Sequence, residues 1–220
     1  MRPRFVLASG NRHKLGEFAA ILAPFEALPM PAGVTLPPEG EESFLANARA
    51  KAWALARALA AAPQGGAAAS AYGPVDDLVF LADDSGLEVE ALGWAPGVTS
   101  ARYAGVDGPG ADRANCEKLL GALAGVAGQR ARRARFTCVL VAVTADGREF
   151  SATGHWWGHI ATAPRGAGGF GYDPVFVPEG STRTVAEWPQ AAKDRESHRA
   201  RAGRALLATL REGGVLDDGA

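Results

Sequence analysis

Two adjacent carboxylates, Asp83 and Asp84, follow an apolar run at residues 78–82 and precede a serine and a glycine. Such a run is typical of a buried parallel strand, and ligands of α/β proteins bind at the carboxyl ends of these strands. Because successive side chains of a strand point to opposite faces, one carboxylate can face a cleft while the other braces the turn. A carboxylate held there can bind a hard cation such as Mg²⁺ or accept a proton from water. A plain turn with two solvated aspartates is the alternative.

A second candidate site lies between the first expected strand and the first expected helix. Backbone N–H groups at a helix start, with Lys14 in the first turn, form a site suited to phosphates. A lysine there opposes the helix dipole, so its presence indicates an anionic ligand. No Walker A motif is present, and a plain strand-to-helix turn is the alternative. The candidate phosphate-binding residues are Ser9, Gly10, Asn11, Arg12, His13 and Lys14.

A glycine-rich segment, RGAGGFGYDP, contains a formal G-x-G-x-x-G motif that ends at Gly171. We reject a dinucleotide-binding site because a strand, and not a helix, is expected after the motif. The glycines instead allow the backbone to approach a flat ligand closely, with Phe170 and Tyr172 placed to stack on a base. Asp173 could then bond to a base edge or to the backbone. An irregular loop that closes over the core is the alternative.

Three glutamates, Glu39, Glu41 and Glu42, precede the second expected helix. One of them could join Asp84 around Mg²⁺, which usually takes one or two carboxylates plus waters and phosphate oxygens. Glu41 and Glu42 also have a simple explanation, since acidic residues favour a helix N-terminus.

Three cationic side chains, Lys193, His198 and Arg199, lie near the start of the last expected helix. The helix dipole disfavours cations at that end, so their presence indicates a carbonyl or phosphate acceptor nearby. An exposed basic helix face is the alternative.

The pattern of elements combines βα units near the N-terminus with an antiparallel hairpin in the middle. This predicts an α/β fold with a mixed sheet, in a single domain over residues 1–220 with two lobes and a cleft between them. Residues 63–76 are of low complexity and predict a flexible insertion loop at the surface. We expect strands at residues 4–9, 26–29, 78–83, 87–92, 135–144, 149–161 and 175–177, and helices at 12–23, 43–62, 112–123 and 198–211.

The composition excludes several functional classes. With 220 residues, 47% hydrophobic and a net charge of −1, the chain shows no basic stripe of the kind that binds polymeric nucleic acid. It contains no apolar stretch of the roughly 20 residues that span a bilayer and no signal-peptide pattern at its start. We therefore expect no membrane partner and a cytoplasmic location.

Six segments in a characteristic order resemble the inosine/xanthosine triphosphate pyrophosphatase family and together span nearly the whole chain. They are SGNRHK, SFLANARAKA, ADDSGLEVEALGWAPGVTSARYAG, FTCVLV, GGFGYDPVF and AEWPQAAKDRESHRARA. The resemblance implies a long mixed sheet flanked by helices, two lobes around a central cleft, and a homodimer. It also implies Mg²⁺-dependent hydrolysis of ITP, dITP and XTP to the monophosphate and pyrophosphate, which removes these nucleotides from the pool.

The same resemblance implies roles for individual residues. Asp84 matches the proton acceptor and metal ligand, and Glu39 is the best match for a second metal ligand. Ala46 stands where the family often has a glutamate. The matching substrate contacts are Ser9, Gly10, Asn11, Arg12, His13, Lys14, Ser85, Phe170, Gly171, Tyr172, Asp173, Lys193, His198 and Arg199.

Two other functions are compatible with parts of the sequence. A non-catalytic regulatory module that binds purine nucleotides would use the same scaffold, but it would have no need of Asp84 beside a phosphate site. A nicotinamide-dependent oxidoreductase is disfavoured by the position of the glycine motif.

Overall fold

The structure, a computed structural model, describes residues 3–61 and 72–217, without the side chains of Arg12 and His13. Residues 63–71 of the expected insertion loop lie outside the described residues. The strands of the described part are β1 (Arg4–Leu7), β2 (Ala27–Pro29), β3 (Leu78–Val89), β4 (Arg133–Thr144), β5 (Glu149–Ile160) and β6 (Phe176–Pro178). Its α-helices are α1 (Arg12–Ile21), α2 (Phe44–Ala60), α3 (Ala111–Ala122), α4 (Gln190–Glu196) and α5 (His198–Glu212).

The described strands form a mixed sheet in the order β2-β1-β3-β4-β5-β6. β1 is parallel to both β2 and β3, whereas β5 and β6 are antiparallel. Residues 145–148 join β4 to β5 as a hairpin, and Gly147 supplies the positive φ of the turn at +86°. These features confirm the predicted α/β fold with a mixed sheet flanked by helices.

The course of β3 corrects one prediction. We expected a strand that ends at Asp83 and a separate strand from residue 87, but β3 runs without a break from Leu78 to Val89. Asp83 and Asp84 therefore lie in the middle of a strand and not at its end. A break was expected because an unpaired carboxylate is costly to bury. Both carboxylates are buried here because each has polar side-chain partners.

The chain divides into two compact units, and β3, β4 and β5 each contribute residues to both. Unit 1 comprises Met1–Asp84, Cys138–Gly154 and Arg199–Ala220, and unit 2 comprises Ser85–Thr137 and His155–His198. The chain therefore leaves unit 1 directly after Asp84 and enters it for the last time at Arg199.

In unit 1 the sheet is buried on both faces. Alternate residues of β1 and β3 pack against α1 and α5, and the residues between them pack against α2. Because side chains alternate along a strand, this pattern directs Asp83 toward α1 and α5 and directs Asp84 toward α2. The residues on the α1 and α5 face are Phe5, Leu7, Val79 and Leu81, and those on the α2 face are Val6, Ala8, Phe80 and Ala82.

The core of unit 2 is an aromatic-rich cluster that includes Leu119 of α3, Trp156 of β5 and Phe176 of β6. The ring of Trp156 lies 5.7 Å from that of Phe176 and 5.5 Å from that of Trp188. This core supports the glycine-rich segment that follows β5.

None of the helices in residues 3–61 and 72–217 combines the length and the apolar character needed to cross a bilayer.

Candidate active site

The turn between β1 and α1 is closed by its own polar side chains. The Asn11 N–H donates to Ser9 Oγ at 3.1 Å, and the Lys14 N–H donates to Asn11 Oδ1 at 3.4 Å. These bonds cap the start of α1, whose first turn contains no acidic residue. Lys14 is thus presented at a helix N-terminus, where the dipole favours anions.

Lys14 pairs with Asp83, which is only 1% exposed. The Lys14 ammonium lies 3.0 Å from Asp83 Oδ1 and 2.9 Å from Oδ2, and Arg199 Nε lies 3.7 Å from Oδ2. Burial by itself would raise the pKa of Asp83, but the charges of Lys14 and Arg199 outweigh it and hold that pKa well below its usual value. Asp83 therefore stays ionised at neutral pH, where it holds two cations and is unsuited to accept a proton.

Arg199 has a second buried carboxylate partner on α1. Its Nη1 lies 3.1 Å from Glu17 Oε2, and both side chains are at most 8% exposed. Because a buried guanidinium requires negative partners, Glu17 and Asp83 together hold Arg199 at the start of α5.

Asp84 lies on the opposite face of β3, where α2 contributes its partners. Asn47 Nδ2 donates to Asp84 Oδ2 at 2.8 Å, and Lys51 Nζ lies 3.8 Å from Oδ1. Burial raises the pKa of Asp84, although the charge of Lys51 and the bond from Asn47 oppose the shift. Of the two adjacent aspartates, Asp84 is therefore the better proton acceptor.

The loop before α2 brings Glu39 to the same place. Lys51 Nζ donates to Glu39 Oε1 at 2.8 Å. Asn47 fixes the loop, since it accepts from the Gly40 N–H at 2.8 Å and donates to the Gly40 carbonyl at 3.1 Å. Burial would lower the pKa of Lys51, but nearby carboxylates outweigh it and raise that pKa, so Lys51 stays charged.

Glu39 and Asp84 therefore direct carboxylate oxygens at one cation, the Lys51 ammonium. In nucleotide enzymes Mg²⁺ takes one or two carboxylates together with waters and phosphate oxygens. Among residues 3–61 and 72–217, no group of three or more His, Cys, Asp or Glu side chains is placed to hold a metal ion. The pair fits a divalent ion that is bound together with a polyphosphate.

In unit 2 the glycine-rich segment is organised by Asp173. Its Oδ2 accepts from Lys193 Nζ at 2.6 Å and from the Phe170 N–H at 3.0 Å. The Lys193 ammonium also lies 4.3 Å from the centre of the Phe170 ring. A side chain at Gly169, where φ is +74°, would collide with the Asp173 carboxylate. This position therefore requires glycine.

Three other residues that were expected to contact the substrate are Tyr172, His198 and Ser85. Tyr172 is 4% exposed, packs in the core of unit 2 and donates its hydroxyl to the Ser100 carbonyl at 2.8 Å. Its ring is thus not available to stack on a base, and Phe170 is the aromatic residue that remains. The His198 ring is stacked on Phe136 at 4.8 Å. Ser85 directly follows Asp84 in β3 and is partly exposed.

Sequence reasoning missed two residues of this site, Asn47 and Lys51. Their spacing of four residues places both on the face of α2 that also carries the buried Ala48, Ala52 and Leu55. A lysine and an asparagine on an otherwise apolar helix face require buried partners, and that signal could have identified them.

Comparisons with known proteins identify the relatives of this chain. A model of the Ham1 family matches residues 5–209. The chain is 44% identical to a dITP/XTP pyrophosphatase of Ralstonia nicotianae, over 94% of this chain and 96% of that protein. It is 43% identical to a dITP/XTP pyrophosphatase of Methylococcus capsulatus, over 96% and 98% of the two chains.

Solved structures show the same relationship. The Ham1 protein of Staphylococcus aureus is 33% identical with a TM-score of 0.76, over 96% of this chain and 99% of that one. A HAM1 protein from Coxiella burnetii is 36% identical with a TM-score of 0.75, over 96% and 99% of the two chains. The resemblance found in the sequence is thereby confirmed, and the chain belongs to the Ham1 family.

Proposed function

We propose that this chain hydrolyses dITP, XTP and ITP to the monophosphate and pyrophosphate, and so removes nucleotides with altered purine bases from the pool. The observation that carries this proposal is the convergence of Glu39, Lys51 and Asp84 in unit 1 of a chain closely related to dITP/XTP pyrophosphatases. Polyphosphate hydrolysis requires cations and carboxylates together, and this cluster supplies both.

The triphosphate would bind to the cationic groups of unit 1. A triphosphate carries about four negative charges, which must be offset before water can attack. Lys14 stands at the N-terminus of α1, and its pairing with Asp83 holds the ammonium in place without using all of its N–H donors. Lys51 supplies a second ammonium, and its raised pKa keeps that charge present at neutral pH.

The cofactor we propose is Mg²⁺, held by Glu39 and Asp84. When bound, a divalent ion neutralises phosphate charge and makes pyrophosphate a better leaving group. The loop bond between Asn47 and Gly40 fixes Glu39 relative to α2, so both carboxylates are oriented before substrate arrives.

Asp84 would orient a water toward the α-phosphorus and take its proton. Burial raises the pKa of Asp84, which makes the carboxylate a stronger base than a solvated aspartate. Asp83 cannot take this role, since its neighbours hold its pKa low.

The purine would be recognised in unit 2 by Phe170, the Asp173–Lys193 pair and His198. A 6-keto purine offers an acceptor to donors such as Lys193. The 6-amino group of adenine would leave such a donor unpaired, at a cost of about 1–3 kcal/mol. Two further proposals are a homodimeric assembly, which the family resemblance implies, and a cytoplasmic location, which the composition favours.

The direct test is pyrophosphate release from ITP, dITP, XTP, GTP and ATP, each with and without Mg²⁺. We expect rapid release from the first three and slow release from ATP, in each case only with Mg²⁺. Binding of ITP without pyrophosphate release would instead support the regulatory nucleotide-binding module. Equal release from ATP would contradict the proposed base recognition.

A further inference from the structure

Two side chains of α3, Asp112 and Cys116, hold the backbone of Gly171. The Gly171 N–H donates to Asp112 Oδ2 at 2.7 Å, and the Cys116 thiol donates to the Gly171 carbonyl at 3.4 Å. Their spacing of four residues places both on one face of the helix. Both backbone polar groups of Gly171 are therefore bonded to α3.

The chemistry of Cys116 suits this contact. The thiol is 5% exposed, and burial raises its pKa to about 12. It therefore stays protonated at neutral pH and remains a donor, which a thiolate could not be. Gly171 has a φ of +61°, a left-handed conformation that glycine adopts without steric cost.

Gly171 lies between two residues that are fixed in other ways. Tyr172 is anchored through its hydroxyl to the Ser100 carbonyl at 2.8 Å. Phe170 is bonded through its N–H to the Asp173 carboxylate at 3.0 Å. The peptide of Gly171 connects these two anchors, so its orientation sets the direction of the Phe170 ring relative to the core.

We propose that Asp112 and Cys116 are positioning residues for purine recognition. By holding both polar groups of Gly171, they fix the Phe170 ring in the orientation in which a purine stacks on it. Gly171 thus supports the site and directs its N–H to α3 and not to the base. This inference rests on the proposed function, because it assigns Phe170 to the purine of the nucleotide.

The test separates base binding from phosphate binding. We expect Asp112→Leu and Cys116→Val each to raise the KM for dITP about fivefold, the loss expected for one hydrogen bond, with kcat within about twofold of wild type. Inhibition by inorganic triphosphate, which has no base, is expected to stay within about twofold.

Conservative variants and a surface control complete the set. Asp112→Asn keeps an acceptor and Cys116→Ser keeps a donor, so each is expected to restore a KM near that of wild type. Glu117→Leu removes a 67%-exposed carboxylate from the same helix and is expected to leave the KM unchanged. Cys116→Val alone carries the kinetic test if Asp112→Leu does not fold.

Amide hydrogen exchange of Gly171 without substrate keeps this inference separate from the proposed function. We expect Asp112→Leu to accelerate that exchange and Asp112→Asn to preserve its protection. If wild type fails to hydrolyse dITP, the proposed function fails while the exchange measurement still tests the contact. An unchanged KM in Cys116→Val, a KM rise that Cys116→Ser does not reverse, or unchanged exchange in Asp112→Leu would overturn the inference.

Discussion

The burial of the ion pair between Lys14 and Asp83 sets how much stability the variant Lys14→Met should lose. Removing one partner of a fully buried ion pair costs about 3–5 kcal/mol, because the other charge is left uncompensated. Two features lower this cost for Lys14→Met. The Lys14 side chain is 19% exposed, and Arg199 remains 3.7 Å from the Asp83 carboxylate. We therefore expect the free energy of unfolding to fall by about 2 kcal/mol at pH 7.

The loss of unfolding free energy in Lys14→Met depends on pH, in a direction set by the pKa of Asp83. The pKa of Asp83 in the folded protein lies below its unfolded value of about 3.9. Its contribution is therefore complete above about pH 4 and is lost as the pH falls through the folded-state pKa. In the variant the pKa of Asp83 is higher, so acidification removes less stability. The difference between wild type and variant is expected to shrink as the pH falls through the pKa that Asp83 has in the folded variant.

The assay is urea denaturation of wild type and Lys14→Met at pH 7 and at pH 3. Arg113→Met is the matched control, because it removes a cation that is 84% exposed and lies 3.7 Å from Glu117. Such surface pairs contribute at most about 1 kcal/mol. A Lys14→Met variant that is as stable as the control at pH 7, or one whose deficit grows at pH 3, would contradict this prediction.

Two further variants test other contacts of the site. The charge of Lys51 lowers the pKa of Asp84, so Lys51→Met is expected to raise that pKa. The acidic limb of the profile of kcat/KM against pH should then move to higher pH. An unmoved limb would contradict the role of Asp84 as the base. Gly169→Ala combines a positive φ with a collision against Asp173, and we expect a loss of about 2–4 kcal/mol in urea denaturation. Gly180 has a similar φ of +81° but open space around it, so Gly180→Ala is expected to lower the free energy of unfolding by only about 1–2 kcal/mol. If both variants lost the same amount, the collision with Asp173 would not contribute to the loss in Gly169→Ala.

The local features of the fold could be predicted because they follow from periodicity and turn chemistry. The expected strands at residues 135–144 and 149–161 correspond to the β4–β5 hairpin, and the helical period predicted α2 to within a few residues. The course of β3 could not be predicted. Whether Asp83 can lie inside a buried strand depends on Lys14, which is 69 residues away in the chain.

Residue type alone suggested part of the candidate site. The type and place of Lys14 indicated an anion, and Asp84 indicated a base or metal ligand. Lys51 was missed because its role depends on two partners, Glu39 and Asp84, that only the folded chain brings together. Tyr172 was assigned to base stacking because an aromatic ring in a glycine-rich loop has two possible uses, and packing decides between them.

We propose that Asp84, buried beside Glu39 and Lys51, accepts the proton of the attacking water. The most direct measurement is kcat for dITP with saturating Mg²⁺ in Asp84→Asn, which keeps an oxygen to accept from Asn47. We expect kcat to fall by about 10²-fold or more, while the free energy of unfolding stays within about 1 kcal/mol of wild type. A folded Asp84→Asn variant that turns over dITP at nearly the wild-type rate would contradict the account.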